Sequence, residues 1–310
     1  MLPYSIAITI DDNYLQHACV MLKSLEANTQ VPLTVYCIFD NLNLKNQALL
    51  SGVFANNKVA VIFIEFDNRV LPQLPIKKDD HISSAAFFRI WLPEILKDVK
   101  QVVFLDTDIV ITEDIGHLLT LPLDNYPIAA VEDLGMGAEK KNALGMKTDA
   151  AYFNSGVMVM NLDYFRKHQL TKKVADFIST FPQLCEFWDQ DAFNAVVSGE
   201  FLHLPLKYNV QSGFYDLTGN AEVQEALNNP HVVHYTGGGN CKPWFYHNNH
   251  PRGNLYYQYL KQTPFKYFYP PDLPRSWFIF RKLKFMFLNS LVLCGFAPLY
   301  ETFFTFAQTY

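Results

Sequence analysis

Short apolar runs rich in β-branched and aromatic residues alternate with helical stretches through the first two-thirds of this 310-residue chain, and no other feature narrows the fold as much. Residues 5–10 predict a strand, and 15–27 a helix with Ala18, Leu22 and Leu25 on one face. Residues 33–39 predict a second strand, 45–54 a helix and 59–66 a third strand. Ser83 or Ser84 can cap a helix reaching Leu96, with Pro93 disturbing its last turn. The run 102–105 is very short and wholly apolar, as a central strand covered on both faces must be. Further strands are expected at 128–131, 156–162 and 232–235, with helices over 163–181 and 190–198. Alternation of this kind implies an α/β fold: a mostly parallel sheet with helices on both faces.

Half of the residues are hydrophobic and 18% are charged, which suits a globular chain able to bury one substantial core. Pro270-Pro271, followed by Pro274, marks a break that assigns 1–270 to the main domain and 271–310 to a C-terminal tail. The tail has no acidic residue between Leu273 and Tyr300. Arg275, Arg281, Lys282 and Lys284 interleave there with Trp277, Phe278, Phe280, Phe285 and Phe287. A basic, aromatic helical tail fits the surface of an anionic bilayer, and a helix packed on the core is the alternative. Asn289, Ser290, Pro298 and Glu301 interrupt the run, so lying on a membrane is favoured over crossing it. Five scattered cysteines without Cys-x-x-Cys spacing read as reduced thiols. The apolar N-terminus has no basic leader and reads as a core strand rather than a signal peptide. These features place the protein in the cytoplasm, peripheral on the inner face of the membrane.

A net charge of −5 gives no basic footprint, so nucleic acid is not expected as a partner. If the substrate carries phosphates, the compensating positive charge has to be local. Asp106-Thr107-Asp108 directly follows the apolar run 102–105. The carboxyl end of a buried strand opens into the crevice where α/β sheets bind ligands. Two aspartates there can turn toward one hard cation such as Mg²⁺ or Mn²⁺. The spacing alone also fits a solvated turn, and it recurs at Asp189-Gln190-Asp191; its place after a central strand is what distinguishes the first copy.

Other residues add to the constellation. Asp11-Asp12-Asn13-Tyr14 follows the first strand and suits either a helix cap or a base-and-ribose site on which Tyr14 stacks. Arg89 lies in the apolar stretch 85–92, where a guanidinium needs a structural carboxylate or a sugar or phosphate oxygen. His234 sits on a short strand beside Gly237-Gly238-Gly239 and Lys242-Pro243-Trp244; it reads as a core histidine or the third ligand of a metal site. The three glycines permit close backbone approach to a pyrophosphate.

The ordered motifs DDNY (11–14), HISSAAFFR (81–89), FLDTD (104–108), YFNSGV (152–157), WDQDAFN (188–194) and HYTGGGNCKPW (234–244) resemble glycosyltransferase family 8. That family of retaining enzymes includes the lipopolysaccharide galactosyl- and glucosyltransferases. The resemblance covers nearly all of residues 5–260 and implies a GT-A fold, Rossmann-like, with Mn²⁺ as the usual ion and Mg²⁺ as a substitute. It implies that Asp106, Asp108 and His234 bind metal, and that Thr9, Asp11, Asn13 and Tyr14 hold uridine with Thr107 beside the ribose. Gly237 and Lys242 match diphosphate-binding positions. Arg89, Asn154, Asp189 and Gln190 match donor-sugar positions, and His81 and Asp133 line the sugar and acceptor side. Two departures stand out: Thr9 is often alanine in relatives, and the turn from His234 to Lys242 is longer than in the bacterial galactosyltransferases.

The implied reaction moves galactose or glucose from a UDP-hexose to a glycan or lipid-linked oligosaccharide, with Asp189, Gln190 and Asp133 at the reacting centre. A covalent route needs a carboxylate nucleophile, for which Asp189 is the nearest candidate; the amide of Gln190 would be a poor one. Same-face attack, with the leaving phosphate taking the acceptor proton, needs none and is favoured. A glycogenin-like or polyol-acceptor enzyme fits the same motifs, although the tail suits a lipid-linked acceptor better. A haloacid dehalogenase-type phosphatase also places Asp-x-Asp after a strand, and Val110 fits its pattern. It needs further acidic ligands downstream, however, commonly an adjacent pair, and the only Asp-Asp pairs here, 11–12 and 79–80, lie upstream. A non-catalytic sugar-binding domain would have no need to keep Asp106, Asp108 and His234 together.

Overall fold

The computed structural model describes residues 4–54, 58–71 and 84–274; His81 and the tail beyond residue 274 lie outside the described residues. Seven strands form the main sheet in the order β3-β2-β1-β4-β7-β6-β8: β1 (Tyr4–Ile10), β2 (Leu33–Phe39), β3 (Val59–Glu65), β4 (Gln101–Leu105), β6 (Ile128–Glu132), β7 (Phe153–Asn161) and β8 (Leu202–His203). A second sheet has the order β5-β10-β9, from β5 (Ile109–Ile111), β9 (Val210–Gln211) and β10 (Val232–His234).

The period of two in β1 assigns its faces. Ile6, Ile8 and Ile10 join one buried cluster with Ala18, Cys19, Leu22 and Leu25 of the helix Leu15–Asn28. Ala7 joins the opposite cluster, with Phe87, Phe88 and Ile90. β4 and β7 are buried on both faces, which is why residues 102–105 and 157–160 read as continuous apolar runs.

The strands from β1 to β4 are mutually parallel, but β7 runs antiparallel to both β4 and β6. This reversal sets up the site. The strand order turns at β1 and β4, whose carboxyl ends lie side by side and form the crevice expected of an open α/β sheet. Because β7 is reversed, its first residues, rather than its last, arrive at that edge.

The helix expected to reach Leu96 is instead a 3-10 helix (Ser84–Trp91) followed by a short α-helix (Leu92–Ile95). Pro93 falls in the first turn of the second piece, where its missing N–H has no intrahelical partner to lose. The stretch 163–181 forms two helices, Leu162–His168 and Leu170–Thr180, divided by Gln169 at φ 53°. β5, β8 and β9 are two or three residues long, too short to show a period, and were not foreseen. The helices Ala138–Ala143, Ala221–Asn228 and Gly253–Leu260 were also missed. Cys19, Cys37 and Cys185 are buried free thiols and Cys241 is a half-buried one, in line with the reduced-thiol reading. Among the described residues, no helix is long and apolar enough to cross a membrane.

Asn194 is one of the side chains that pin the helix Trp188–Val197 to the start of β7. Asn194 accepts from the Phe153 amide and donates to the Phe153 carbonyl, each at 2.8 Å, and is fully buried. Asn194→Ala removes both bonds and leaves buried backbone groups without that partner, each costing about 1–3 kcal/mol. A lower denaturation midpoint at unchanged m-value is the expected result; a loss below about 0.5 kcal/mol would show that the helix is held elsewhere.

Candidate active site

Leaving β4, the chain passes through Asp106-Thr107-Asp108 and turns back as β5, which pairs antiparallel with β10 so that Ile109 faces His234. That register brings the imidazole to the acids. His234 Nε2 lies 3.2 Å from Asp108 Oδ1 and 3.8 Å from Asp106 Oδ2. One ligand atom from each of the three residues falls within 4.8 Å of the others. The second ring nitrogen, Nδ1, lies 2.9 Å from Asn209 Oδ1, an atom that can only accept, so Nδ1 carries a proton and Nε2 is the nitrogen turned toward the acids. Two carboxylates and an imidazole nitrogen converging on one point could hold a divalent metal ion. Gly156 forms the floor: a β-carbon there would fall 2.2 Å from His234 Cε1 and 2.7 Å from Asp106 Oδ2.

Arg89, buried beneath the acids, answers the question its position raised: carboxylates are its partners. Nη1 lies 3.1 Å from Asp106 Oδ1 and donates to the Ser155 carbonyl at 2.9 Å, while the guanidinium sits over the Phe104 ring at 4.6 Å. Nε lies 3.0 Å from Asp189 Oδ2, but its single hydrogen goes to the Ala86 carbonyl at 2.8 Å. The contact with Asp189 is therefore charge pairing without an aligned hydrogen bond, and buried Oδ2 has no donor among the described residues. Burial pushes the Asp189 carboxyl up to about 7 despite the Arg89 charge, with Asp106 adding to the push.

The two ligand acids are unlike. Burial raises both, but at Asp108 the charges of Lys242 and His234 prevail and hold the carboxyl below the usual carboxylate range. At Asp106, burial is opposed by Arg89 and reinforced by Asp108, and the carboxyl stays above that range. Lys242 Nζ donates to Asp108 Oδ2 at 2.5 Å and to the Tyr235 carbonyl at 2.6 Å. The turn before it needs glycine at Gly237, whose φ is 87°.

These groups line one cavity of about 570 Å³. It receives Thr9, Asp11 and Tyr14 from the end of β1, Asp106, Thr107 and Asp108 from the end of β4, and Asp133 from the end of β6. Asn154 arrives from reversed β7, Arg89 from the 3-10 helix, Asp189 and Gln190 from the helix Trp188–Val197, and His234, Gly237 and Lys242 from β10 and its turn. Asn13 is exposed and outside the lining. Asp11 Oδ1 caps the amides of Asn13 and Tyr14 at 2.9 and 3.1 Å, so the capping role is realised at a residue that also lines the cavity. In the second Asp-x-Asp the partners divide: Asp189 faces the cavity, while Asp191 is fully buried, accepts from Tyr152 Oη and the Phe187 amide, and forms an ion pair with Lys140. Asp191 thereby secures Trp188, whose φ of 51° is unusual for a residue with a β-carbon. Gln190 Oε1 accepts from Asn154 Nδ2 and from the Ser155 amide, both at 3.0 Å.

Sequence reasoning passed over Gly156, Asn209 and Phe214. Gly156 lay within a motif already noted, but its tight contact with His234 depends on β7 facing β10's end. Asn209 and Phe214, the latter a lining residue, belong to a stretch with no periodic signal.

The family profile described as "Glycosyl transferase family 8" matches residues 5–248. The chain is 31% identical over 266 residues to general stress protein A of Bacillus subtilis (strain 168), spanning 82% of this chain and 91% of that protein. It is 27% identical over 282 residues to lipopolysaccharide 1,2-glucosyltransferase of Escherichia coli (strain K12), spanning 88% and 80% respectively. The fold is similar to that of the galactosyltransferase LgtC, solved with donor and acceptor sugar analogues, with a TM-score of 0.72 at 22% identity over 88% of this chain and 98% of that one. The sheet is thus of the GT-A type. With the profile running from the first strand through the turn that carries Lys242, the chain belongs to glycosyltransferase family 8.

Proposed function

We propose that this protein transfers galactose or glucose from a UDP-sugar to a lipopolysaccharide or lipooligosaccharide core, with retention of anomeric configuration. The observation that carries the reading is the meeting of His234 Nε2 with Asp106 and Asp108, residues more than 120 positions apart in the chain. When bound there, Mn²⁺ or Mg²⁺ would supply positive charge to offset what builds on the leaving group. Asp106, Asp108 and His234 would hold it.

The chain's own residues do the rest. Tyr14, Thr9 and Asp11 receive the uridine end of the cavity, with Thr107 beside the ribose and Asn13 at the rim. Lys242, close to Asp108, is placed to neutralise the diphosphate and stabilise UDP as it departs. Asp189 Oδ2, which receives no hydrogen bond among the described residues, would accept one from a sugar hydroxyl, while Arg89 pairs with its charge. Gln190 Oε1 already takes two hydrogen bonds within the protein, which leaves it a poor nucleophile. Same-face attack, with the departing phosphate oxygen accepting the acceptor's proton, then asks for no covalent step. Asp133 lines the cavity on the acceptor side; His81, outside the described residues, is assigned there by the family resemblance alone. The lipopolysaccharide acceptor rests on the name of the E. coli relative. The basic aromatic tail, by composition, suits a cytoplasmic enzyme lying on the inner membrane face.

Mn²⁺-dependent release of UDP from UDP-galactose or UDP-glucose without acceptor is the direct test. Asp108→Ala is expected to slow it roughly a hundredfold or more while circular dichroism stays native. An unchanged rate would remove the metal reading. Asp189 gives a separate, pH-dependent expectation. An acid whose folded pKa is raised adds stability below the ordinary carboxylate value and loses it as pH rises toward about 7. Asp189→Asn, which cannot ionise, should therefore melt higher than the parent at about pH 8, with the gap closing toward about pH 4. A gap independent of pH would mean that the carboxyl is not strained by burial. Deleting 275–310 is expected to release the protein from anionic vesicles in a flotation assay and leave UDP release intact; a full-length chain that ignores such vesicles would end the membrane reading.

A further inference from the structure

We infer that Asn209 is a positioning residue that sets the tautomer of His234, and that it does so as one link of a one-way hydrogen-bond chain whose direction is dictated by two backbone amides of β7. The inference rests on the metal reading of His234 given above. Asn209 is 0% exposed and touches the cavity only through its partners.

The direction of every link follows from the backbone, whose N–H groups can only donate. The Ser155 amide points at one end of the Gln190 side chain at 3.0 Å, and the Gly156 amide at one end of Asn154 at 3.1 Å, so both ends are oxygens. Asn154 then offers its Nδ2 to Gln190 Oε1 at 3.0 Å. Asn154 Oδ1 receives a second donor at 2.8 Å, which must be Asn209 Nδ2. Asn209 therefore turns its oxygen to His234 Nδ1 at 2.9 Å, and the imidazole has no choice but to keep its proton there. The nitrogen turned toward Asp108 and Asp106 is then Nε2, whose lone pair would face an ion held there. At the far end, Gln190 Nε2 donates to Asp133 Oδ2 at 3.3 Å. A buried amide chain thus joins the metal-facing imidazole to two residues on the sugar side of the cavity.

Local structure puts Asn209 in position. It follows the 3-10 helix Leu206–Tyr208 and precedes β9, whose parallel pairing with β10 sets Gln211 opposite His234. Only a short side chain with both a donor and an acceptor can serve Asn154 and His234 together. Asparagine fits; aspartate keeps the acceptor and loses the donor, and leucine loses both.

The two variants separate tautomer control from mere packing. In metal-free protein, ¹⁵N–¹H correlation of labelled histidines, followed upward in pH until the His234 ring carries a single proton, reads which nitrogen holds it, with His234 assigned by its loss in His234→Gln. The parent and Asn209→Asp should show an Nδ1–H imidazole, and Asn209→Leu should show the Nε2–H form. Mn²⁺ affinity, measured in the presence of UDP, should fall about 10–100-fold in Asn209→Leu and stay within a few-fold of the parent in Asn209→Asp. An Nε2–H imidazole in the parent overturns the inference without any variant, so it stays testable even if Asn209→Leu does not fold. Equal loss of Mn²⁺ affinity in both variants, with the tautomer unchanged, would also overturn it by reducing Asn209 to a packing link. A parent that binds no Mn²⁺ would instead defeat the metal reading, while the tautomer comparison would still decide the role of Asn209.

Discussion

Three backbone pairings between β5 and β10 hold the rest of the site in place. Val232, Val233 and His234 face Ile111, Val110 and Ile109, and this register decides that an imidazole, and not a valine, stands over the Asp106-Thr107-Asp108 turn. A slip of one residue would flip every side chain of β10 to the opposite face. The register is protected by burial: Val110 and Val233 pack into an aromatic cluster with Tyr235, Trp244 and Tyr256, while Ile109, Ile111 and Val232 belong to the main core. An apolar sheet of three short strands thereby fixes a polar arrangement at its end.

The site that results is charge-dense and largely removed from water. Asp106, Asp108 and Asp189 are answered by Arg89 and Lys242, with His234 between the first two acids. Buried charges of this kind contribute little net stability, because desolvation offsets most of their attraction. Their presence makes sense as preorganisation for a phosphorylated donor, whose charge would otherwise have to be met by slow rearrangement. The raised carboxyls of Asp106 and Asp189 show where that arrangement is unrelaxed. Around them, neutral amides do the positioning. Asn154, Gln190, Asn194 and Asn209 are buried and joined to β7 backbone or to one another, so they orient neighbours without adding charge.

Much of this was written in local pattern. The apolar run of β4 followed at once by Asp106-Thr107-Asp108 named both the central strand and its reactive end, since a strand covered on both faces must be apolar and its end must be where polar ligands meet the crevice. The alternation of strands and helices gave the layered architecture, and the first two strands fell within a residue of expectation. Ordered motifs singled out Arg89, Asn154, Asp189, Gln190 and Lys242, all of which line the cavity. Asn13 belonged to the same kind of motif and stands outside, because one turn of 3-10 helix rotates it to solvent.

What residues alone determined, then, was which segments are buried and which chemistry each carries, because burial leaves a period in the sequence and chemistry is a matter of residue type. Which segments face one another was decided by the tertiary structure. The reversal of β7 brings Asn154 and Gly156 to the cavity, β5 pairs with a strand from the far end of the domain, and Asn209 meets His234 through the register of β9. Such pairings join residues whose separation along the chain leaves no local trace, and they are selected only when the whole core closes around them.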